Sequence, residues 1–300
     1  MTSSRSPVAT GPGSPSQAPE ELSHDGSHWI VTANPGGRRK LGLGVVPALD
    51  KAIAVIEYLN WQPGEQTTLA NISSALEITK SHCHSILKTL QDHGWLRFDE
   101  RAKTYTLHPG LLGSVSKLLA VPTIEIIRTE ISALVSAFHL PCVVSQPMPD
   151  HTFMLVDKIH EPMRMEVSLP IGFRYPRDAS AQMRAYLAWM PEEKIRDWFE
   201  DWVPVQYTTS SLMTEIDVFA ELQATRLRGY ARSCSEFTDG LMALALPIFG
   251  KNGDVEFIIN CPAPMEVMSA LEDDVAAAMR RAVQHIHQQT LARLPCDFVK

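Results

Sequence analysis

Residues Thr68 to Leu107 read TLANISSALEITKSHCHSILKTLQDHGWLRFDERAKTYTL. Two short amphipathic segments come first, separated by three residues; a glycine and two strand-like runs around a charged turn follow. That order is what a helix-turn-helix with a β-wing requires. Between Lys80 and His93, Cys83, Ile86, Leu87 and Leu90 recur at i, i+3, i+4 and i+7, which makes one helix face apolar. Ser81, Ser85 and Lys88 fall on the opposite side, His82 and His84 flank them, and no carboxylate intervenes before Asp92. Hydroxyls, imidazoles and an ammonium suit phosphates and base edges. Taken alone, the same segment also reads as a core helix with a solvated face.

Working outward, Leu69 to Leu76 forms the preceding helix, with Thr67 or Thr68 as its N-cap, and Glu77-Ile78-Thr79 makes the tight turn. Thr79 is expected to cap the next helix by accepting bonds from its first free amides. Gly94 stands where a left-handed C-terminal residue is favoured. Trp95 to Asp99 and Thr104 to Leu107 form a hairpin whose tip, Glu100-Arg101-Ala102-Lys103, can lie against a phosphate backbone or enter a minor groove. Upstream, Leu49, Ile53, Ile56 and Leu59 recur at helical spacing from Pro47 to Asn60, and Trp61-Gln62-Pro63-Gly64 stops that helix.

A chain of 300 residues accommodates two cores, and 45% hydrophobic with 20% charged residues is an ordinary globular balance. The net charge of −7 is unevenly placed: from Leu140 onward 15 Lys and Arg face 22 Asp and Glu, whereas the earlier residues hold 12 of each. A local basic patch in the N-terminal part is therefore compatible with DNA. Residues 1–44, rich in Ser, Pro and Gly, are expected to form a disordered tail. Its cluster Arg38-Arg39-Lys40 reads either as an arm adding phosphate contacts or as a solubilising linker. Five scattered cysteines without a CxxC spacing suggest neither a disulfide framework nor a zinc site. No apolar run is long enough to span a bilayer, and no signal peptide is legible, so a cytoplasmic protein without membrane contact is expected.

Beyond the wing, Leu111 to Ala120 and Thr123 to His139 read as helices around Pro122. The second has an apolar stripe of Ile124, Ile127, Ile131, Leu134, Val135 and Phe138 that must be buried. Strands are expected at 142–146, 153–158, 163–169, 230–233, 241–249 and 255–260, the last two joined by a hairpin through Asn252-Gly253. Helices are expected at Ser180 to Met190, from Pro191 to about Trp198, at Glu215 to Arg228 ending at Gly229, and from about Glu266 to Arg293. This mixture is α+β. The divisions expected are 45–110 for the winged helix-turn-helix, 111–139 for linker helices and 140–295 for the C-terminal domain.

The order helix, helix, turn, helix and wing, entered through ALDKAIAVIEYL and left through YTLHPGLLGSVSKLL, resembles the DNA-binding domain of the IclR (isocitrate lyase regulator) family of bacterial transcription factors. The likeness runs through most of residues 45 to 290. It implies a C-terminal GAF-like α+β effector-binding domain, a homodimer or a dimer of dimers, double-stranded operator DNA as one partner and a small organic acid, aromatic acids included, as the other. In the family the third helix enters the major groove, and its motif commonly reads Ser-Thr, an apolar residue, His and Arg. Here Ser81 and His84 match, while His82 and Ser85 depart, and the missing Arg removes a bidentate contact. The implied DNA-binding set is Lys80, Ser81, His82, His84, Ser85, Lys88, Arg97, Arg101 and Lys103.

For the effector the resemblance implies Tyr175, Ala181, Gln182, Ser233, Glu236, Ala243, Ile258 and Asn260. Asp178, Met183, Ser233, Ala243 and Ile258 depart from the family pattern, several in the apolar direction. Such a pocket either accepts a larger, more aromatic acid or has lost its ligand and serves assembly. Arg174 and Arg177 stand near its mouth, to meet a carboxylate or to sit in surface salt bridges.

No phosphate loop, nucleophile elbow or HExxH is present. His82 and His84, like His285 and His287, are two apart on helices and diverge. The carboxylates from Glu272 to Asp274 read as favourable charges near the start of the last helix. No enzyme activity, cofactor or metal is expected. The rival reading is a small-molecule sensor or enzyme-like domain whose winged helix makes protein contacts instead of binding DNA.

Overall fold

The computed structural model describes residues 46–61, 67–119, 121–162, 164, 167 and 169–298. The expected tail, the Arg38–Lys40 cluster, the stop at 62–64 and most of the run at 163–169 lie outside them.

Helix α1 (Pro47–Trp61) begins at the expected proline. A two-residue strand, β1 (Thr67–Thr68), leads into α2 (Leu69–Ala75), and α3 (Lys80–Asp92) follows. Thr68 is the N-cap of α2: its hydroxyl accepts from the Asn71 amide while Asn71 accepts from the Thr68 amide, a reciprocal capping box. Thr79 is the N-cap of α3, but its side chain makes no capping bond, contrary to expectation. The tight turn is held instead by Ser73, whose hydroxyl donates to the Ile78 carbonyl at 2.6 Å, and by Glu77 in a left-handed conformation (φ 53°). After α3 the amides of Gly94 and Trp95 donate to the carbonyls of Gln91 and Leu90, a Schellman ending with Gly94 at φ 71°.

Strands β2 (Leu96–Asp99) and β3 (Thr104–Leu107) form the wing, and β1 adds to the free edge of β3. Cys83, Ile86, Leu87 and Leu90 of α3 are buried against Val55, Leu59, Ile72 and Tyr105, as the spacing requires. The α1 stripe divides, however. Leu49 and Ile53 are exposed, and only its later half reaches this core. The helix outruns the small domain it packs on.

Helices α4 (Gly110–Leu119) and α5 (Pro122–Phe138) follow, the latter with Pro122 in its first turn, where a missing N–H costs nothing. The larger core is built on an antiparallel sheet of β4 (Cys142–Pro147), β5 (Phe153–Ile159), β6 (Arg174–Tyr175), β7 (Ala231–Cys234), β8 (Leu241–Phe249) and β9 (Val255–Pro264), in the order β6-β5-β4-β9-β8-β7. Between β6 and β7 lie α6 (Ser180–Leu187), α7 (Glu192–Phe199) and α8 (Glu215–Arg228), and α9 (Met265–Thr290) ends the order. Helix α6 stops three residues before the expected Met190, and α9 ends at Leu291 in a left-handed conformation instead of continuing to Arg293.

Cross-strand partners share a sheet face, so the register sorts the core. Met242, Leu244, Leu246 and Ile259 face α5 and α9, where Ser269 of α9 donates to the Met242 sulfur and Arg128 of α5 reaches Asp157. Phe153, Ser145, Ile258, Asn260, Ala243 and Ser233 lie on the other face, which α6 covers. Glu272, expected near the start of α9 as a charge favouring the helix dipole, is engaged by side chains instead. It lies two turns in, where it accepts from the Tyr230 hydroxyl (2.7 Å) and Arg232 (3.1 Å). Among the described residues, no single helix is long and apolar enough to cross a membrane.

Candidate functional site

Two surfaces carry the sequence-derived candidates. On α3, Lys80, Ser81, His84, Ser85 and Lys88 are exposed and His82 is half-buried; Ser81, Ser85 and Lys88 lie on the side away from the core. Ser85 donates back to the Ser81 carbonyl at 3.1 Å, which keeps its hydroxyl close to the helix. Lys88 pairs with Asp92 (2.6 Å) and Lys103 with Glu100 (3.0 Å), both at exposed positions. Pairs of this kind contribute about 0–1 kcal/mol and exchange readily for a phosphate. Lys80, Arg97 and Arg101 have no ion-pair partner among the described residues.

The wing tip is shaped by Asp99, whose Oδ1 accepts from the amides of Arg101 and Ala102 at 2.8 and 2.9 Å. Those two bonds hold the Asp99 carboxyl below its usual pKa. Lys103 turns back over Phe98, its ammonium 5.7 Å from the ring, and Phe98 packs on its cross-strand partner Tyr105 with centroids 4.6 Å apart. The cations of helix and wing thus sit on a small, hydrogen-bonded and packed frame.

The effector candidates come together more deeply. Tyr175, Ser233, Ala243, Ile258 and Asn260 share the sheet face under α6, and Ala181 and Gln182 are buried on that helix. Burial raises the Tyr175 hydroxyl well above its ordinary pKa, so it is neutral. Glu236 is engaged: it takes a bidentate pair from the fully buried Arg184 and accepts from the Cys234 amide at 3.2 Å. Arg174 pairs with Asp150 at 2.9 Å, and Arg177 pairs with Asp201 at 2.6 Å while lying over Trp198; the salt-bridge reading of both arginines holds.

Two residues of this site, Ser145 and Arg184, are not singled out by the sequence. Ser145 is fully buried on β4 opposite Ile258 with its hydroxyl unpartnered, and Asn260, two residues further along β9 on the same face, has a buried Oδ1 that is also unpartnered. The signal for Ser145 is a lone hydroxyl in the apolar run Cys142–Pro147. Arg184 is legible only as a charge inside SAQMRAYL, a helix buried nearly all round.

A strap of residues 202–212 closes over α6. Asp178, a departure from the family pattern, accepts from the Tyr207 hydroxyl (2.7 Å) and the Val205 amide (3.1 Å), and Ser211 donates to the Glu236 carbonyl (2.7 Å). The space left between strap and helix, lined by Asp178, Met183, Arg184, Trp202, Tyr207 and Glu236, is about 10 Å³, no more than a single water needs. No group of three or more metal-ligating side chains occurs among the described residues.

Comparison with known proteins agrees with both halves. Residues 48–100 match the IclR helix-turn-helix domain, and residues 121–288 match the bacterial transcriptional regulator IclR C-terminal domain. The transcriptional repressor IclR of Escherichia coli K12 is 26% identical over 239 residues, covering 77% of this chain and 84% of that protein. Among solved structures, an IclR transcriptional regulator from Alicyclobacillus acidocaldarius superposes with a TM-score of 0.72 at 22% identity, over 82% of this chain and 99% of the other. An IclR homologue from Microbacterium hydrocarbonoxydans, complexed with 4-hydroxybenzoate, superposes with a TM-score of 0.69 at 14% identity, over 81% and 99%. The chain belongs to the IclR family of DNA-binding bacterial transcriptional regulators, a winged helix-turn-helix joined to an α+β effector-binding domain, and not to an enzyme family.

Proposed function

We propose that the regulator senses a small organic acid, aromatic acids included, admitted between α6 and the sheet, and that occupancy shifts how two winged domains are spaced on operator DNA. The observation that carries this reading is Ser145 Oγ and Asn260 Oδ1, both buried on the sheet face under α6 and both without hydrogen-bond partners. An unsatisfied buried polar atom costs about 1–3 kcal/mol, a cost that a ligand donating and accepting there would remove. Tyr175, Ala181, Gln182, Ser233, Ala243 and Ile258 complete the lining, and Glu236 acts by holding Arg184. The strap over α6 must open for entry, so the closed arrangement is one of two states whose populations the acid shifts.

DNA contact is assigned to Lys80, Ser81, His82, His84, Ser85, Lys88, Arg97, Arg101 and Lys103. Two copies would pair through the exposed Leu49 and Ile53, one turn apart on α1. The working division is winged domain 45–110, linker 111–139 and sensor 140–295, acting in the cytoplasm. A thermal-shift panel on the whole chain tests the sensor reading, with 4-hydroxybenzoate, other aryl acids and aliphatic acids. An acid present at about a hundred times its dissociation constant adds roughly 2.7 kcal/mol, and Asn260→Leu removes that shift. A flat response across the panel would leave the C-terminal domain as an assembly module.

A further inference from the structure

On the sheet face opposite α6, a groove of about 690 Å³ runs along the last turns of α9, walled by the segment that follows the helix. Its volume falls within the range of small-molecule sites. From Ala277 to Leu291 the lining residues of α9 recur at one-turn intervals, so they form one stripe, roughly 20 Å long at 1.5 Å per residue. Leu246 and Val283 make an apolar floor, and Leu291, Leu294 and Phe298 make the far end; Leu291 and Leu294 stay exposed. Phe298 is fixed in place by Trp189, Phe249 and His287, with ring centroids 4.8, 4.9 and 5.5 Å away.

Charge in the groove is one-sided. Arg280 and Arg281 stand at the near end, and no carboxylate belongs to the lining, although the chain as a whole carries −7. Arg280 lies over the Tyr230 ring at 5.7 Å, while exposed Arg281 has no partner among the described residues. His287, the remaining titratable group, is neutral at pH 7 because burial pushes its pKa to about 4. Its Nε2 accepts the Phe249 amide at 3.0 Å, so the proton resides on Nδ1, a buried donor without a partner. The groove therefore has a cationic end, a long uncharged floor and an apolar far end.

We propose that this groove binds a hydrophobic monocarboxylate with a medium-length acyl or arylalkyl tail, its carboxylate on Arg281 and Arg280 and its tail along Leu246, Val283, Leu291 and Phe298. A site here would give the regulator an input separate from the α6 face. Fluorescence titration of the full chain with dansyl-undecanoic acid tests it. The expected result is saturable one-to-one binding, displaced by decanoate but not by decylamine, and weakened at least tenfold by Arg281→Glu and by Leu294→Asp, both at exposed positions. Asn260→Leu, on the opposite sheet face, should leave the titration unchanged. Equal displacement by decylamine, or unchanged binding in both groove variants, overturns the proposal. So does a loss of probe binding confined to Asn260→Leu. If Arg281→Glu and Leu294→Asp instead reduce the sedimenting mass without altering the titration, the groove is a subunit interface and the ligand assignment is wrong.

Discussion

The winged domain and the sensor domain solve the same problem, placing polar groups for a partner, in opposite ways. On α3 and the wing the groups are exposed, close in sequence and mounted on ten buried residues from Val55 to Tyr105. Under α6 they are buried, come from strands more than a hundred residues apart, and rest on a far larger core. The exposed site can exchange a surface salt bridge for a phosphate at little cost. The buried one leaves Ser145 Oγ and Asn260 Oδ1 without hydrogen-bond partners. On the proposed assignments, DNA recognition is set by the charge and reach of a few side chains, whereas sensing depends on how the sheet, α6 and the strap fit together.

The sharpest way to separate the two regions is to damage one core. Leu87→Ala removes a fully buried side chain from the small core and should cost about 2–5 kcal/mol. Urea unfolding followed by two probes should then split, with the winged domain melting first and Trp189 and Trp198 in the sensor domain reporting the later transition. A single coincident transition would mean that the two cores unfold as one. A smaller perturbation acts on the sensor side alone. His287 gains a proton near pH 6.5 in the unfolded chain but only near 4 in the folded one. Across that window the unfolded chain binds more protons, so stability should fall as the pH drops from 6.5 to 4 and level off below, by at most roughly 3 kcal/mol. His287→Gln, which retains an acceptor for the Phe249 amide, should flatten this slope; an unchanged slope assigns it to other groups.

Smaller again is Asn260→Leu, which replaces an unpartnered buried amide oxygen with an apolar group. It should raise the stability of the ligand-free chain by about 1–3 kcal/mol, and a loss of stability would show that Asn260 is already satisfied. The smallest effect compares two threonines. Thr68→Ala removes the α2 cap and should cost about 1 kcal/mol, while Thr79→Ala, with no capping bond to lose, should change the melting temperature hardly at all.

These contrasts follow how much of each region local sequence can encode. Cys83, Ile86, Leu87 and Leu90 reveal the α3 core face because helical spacing is a property of neighbours. The wing hairpin and the Gly94 ending are equally local. The sensor face is only partly legible, because membership depends on register: Asn260 faces α6 because it opposes Val143 and Ala245, which no spacing rule supplies. Ser145 is hidden for that reason, and the engagement of Glu236 by Arg184 joins residues 52 apart. Thr79 shows the converse error: a residue of the right type, in the right place, whose hydroxyl is not needed because Ser73 holds the turn. The division of the α1 stripe is invisible too, since periodicity shows that a face is apolar and not what covers it.

The central claim, that α3 and the wing grip DNA through solvated cations, is tested most directly by the slope of log affinity against log salt concentration, for the whole chain and for a Lys88→Glu, Arg101→Glu double variant on the same operator fragment. The parent chain should show a steep negative slope and the variant a slope shallower by about one for each phosphate that is no longer neutralised, with the acid-induced thermal shift unchanged. A slope near zero for the parent, or an identical slope and affinity in the double variant, would contradict it.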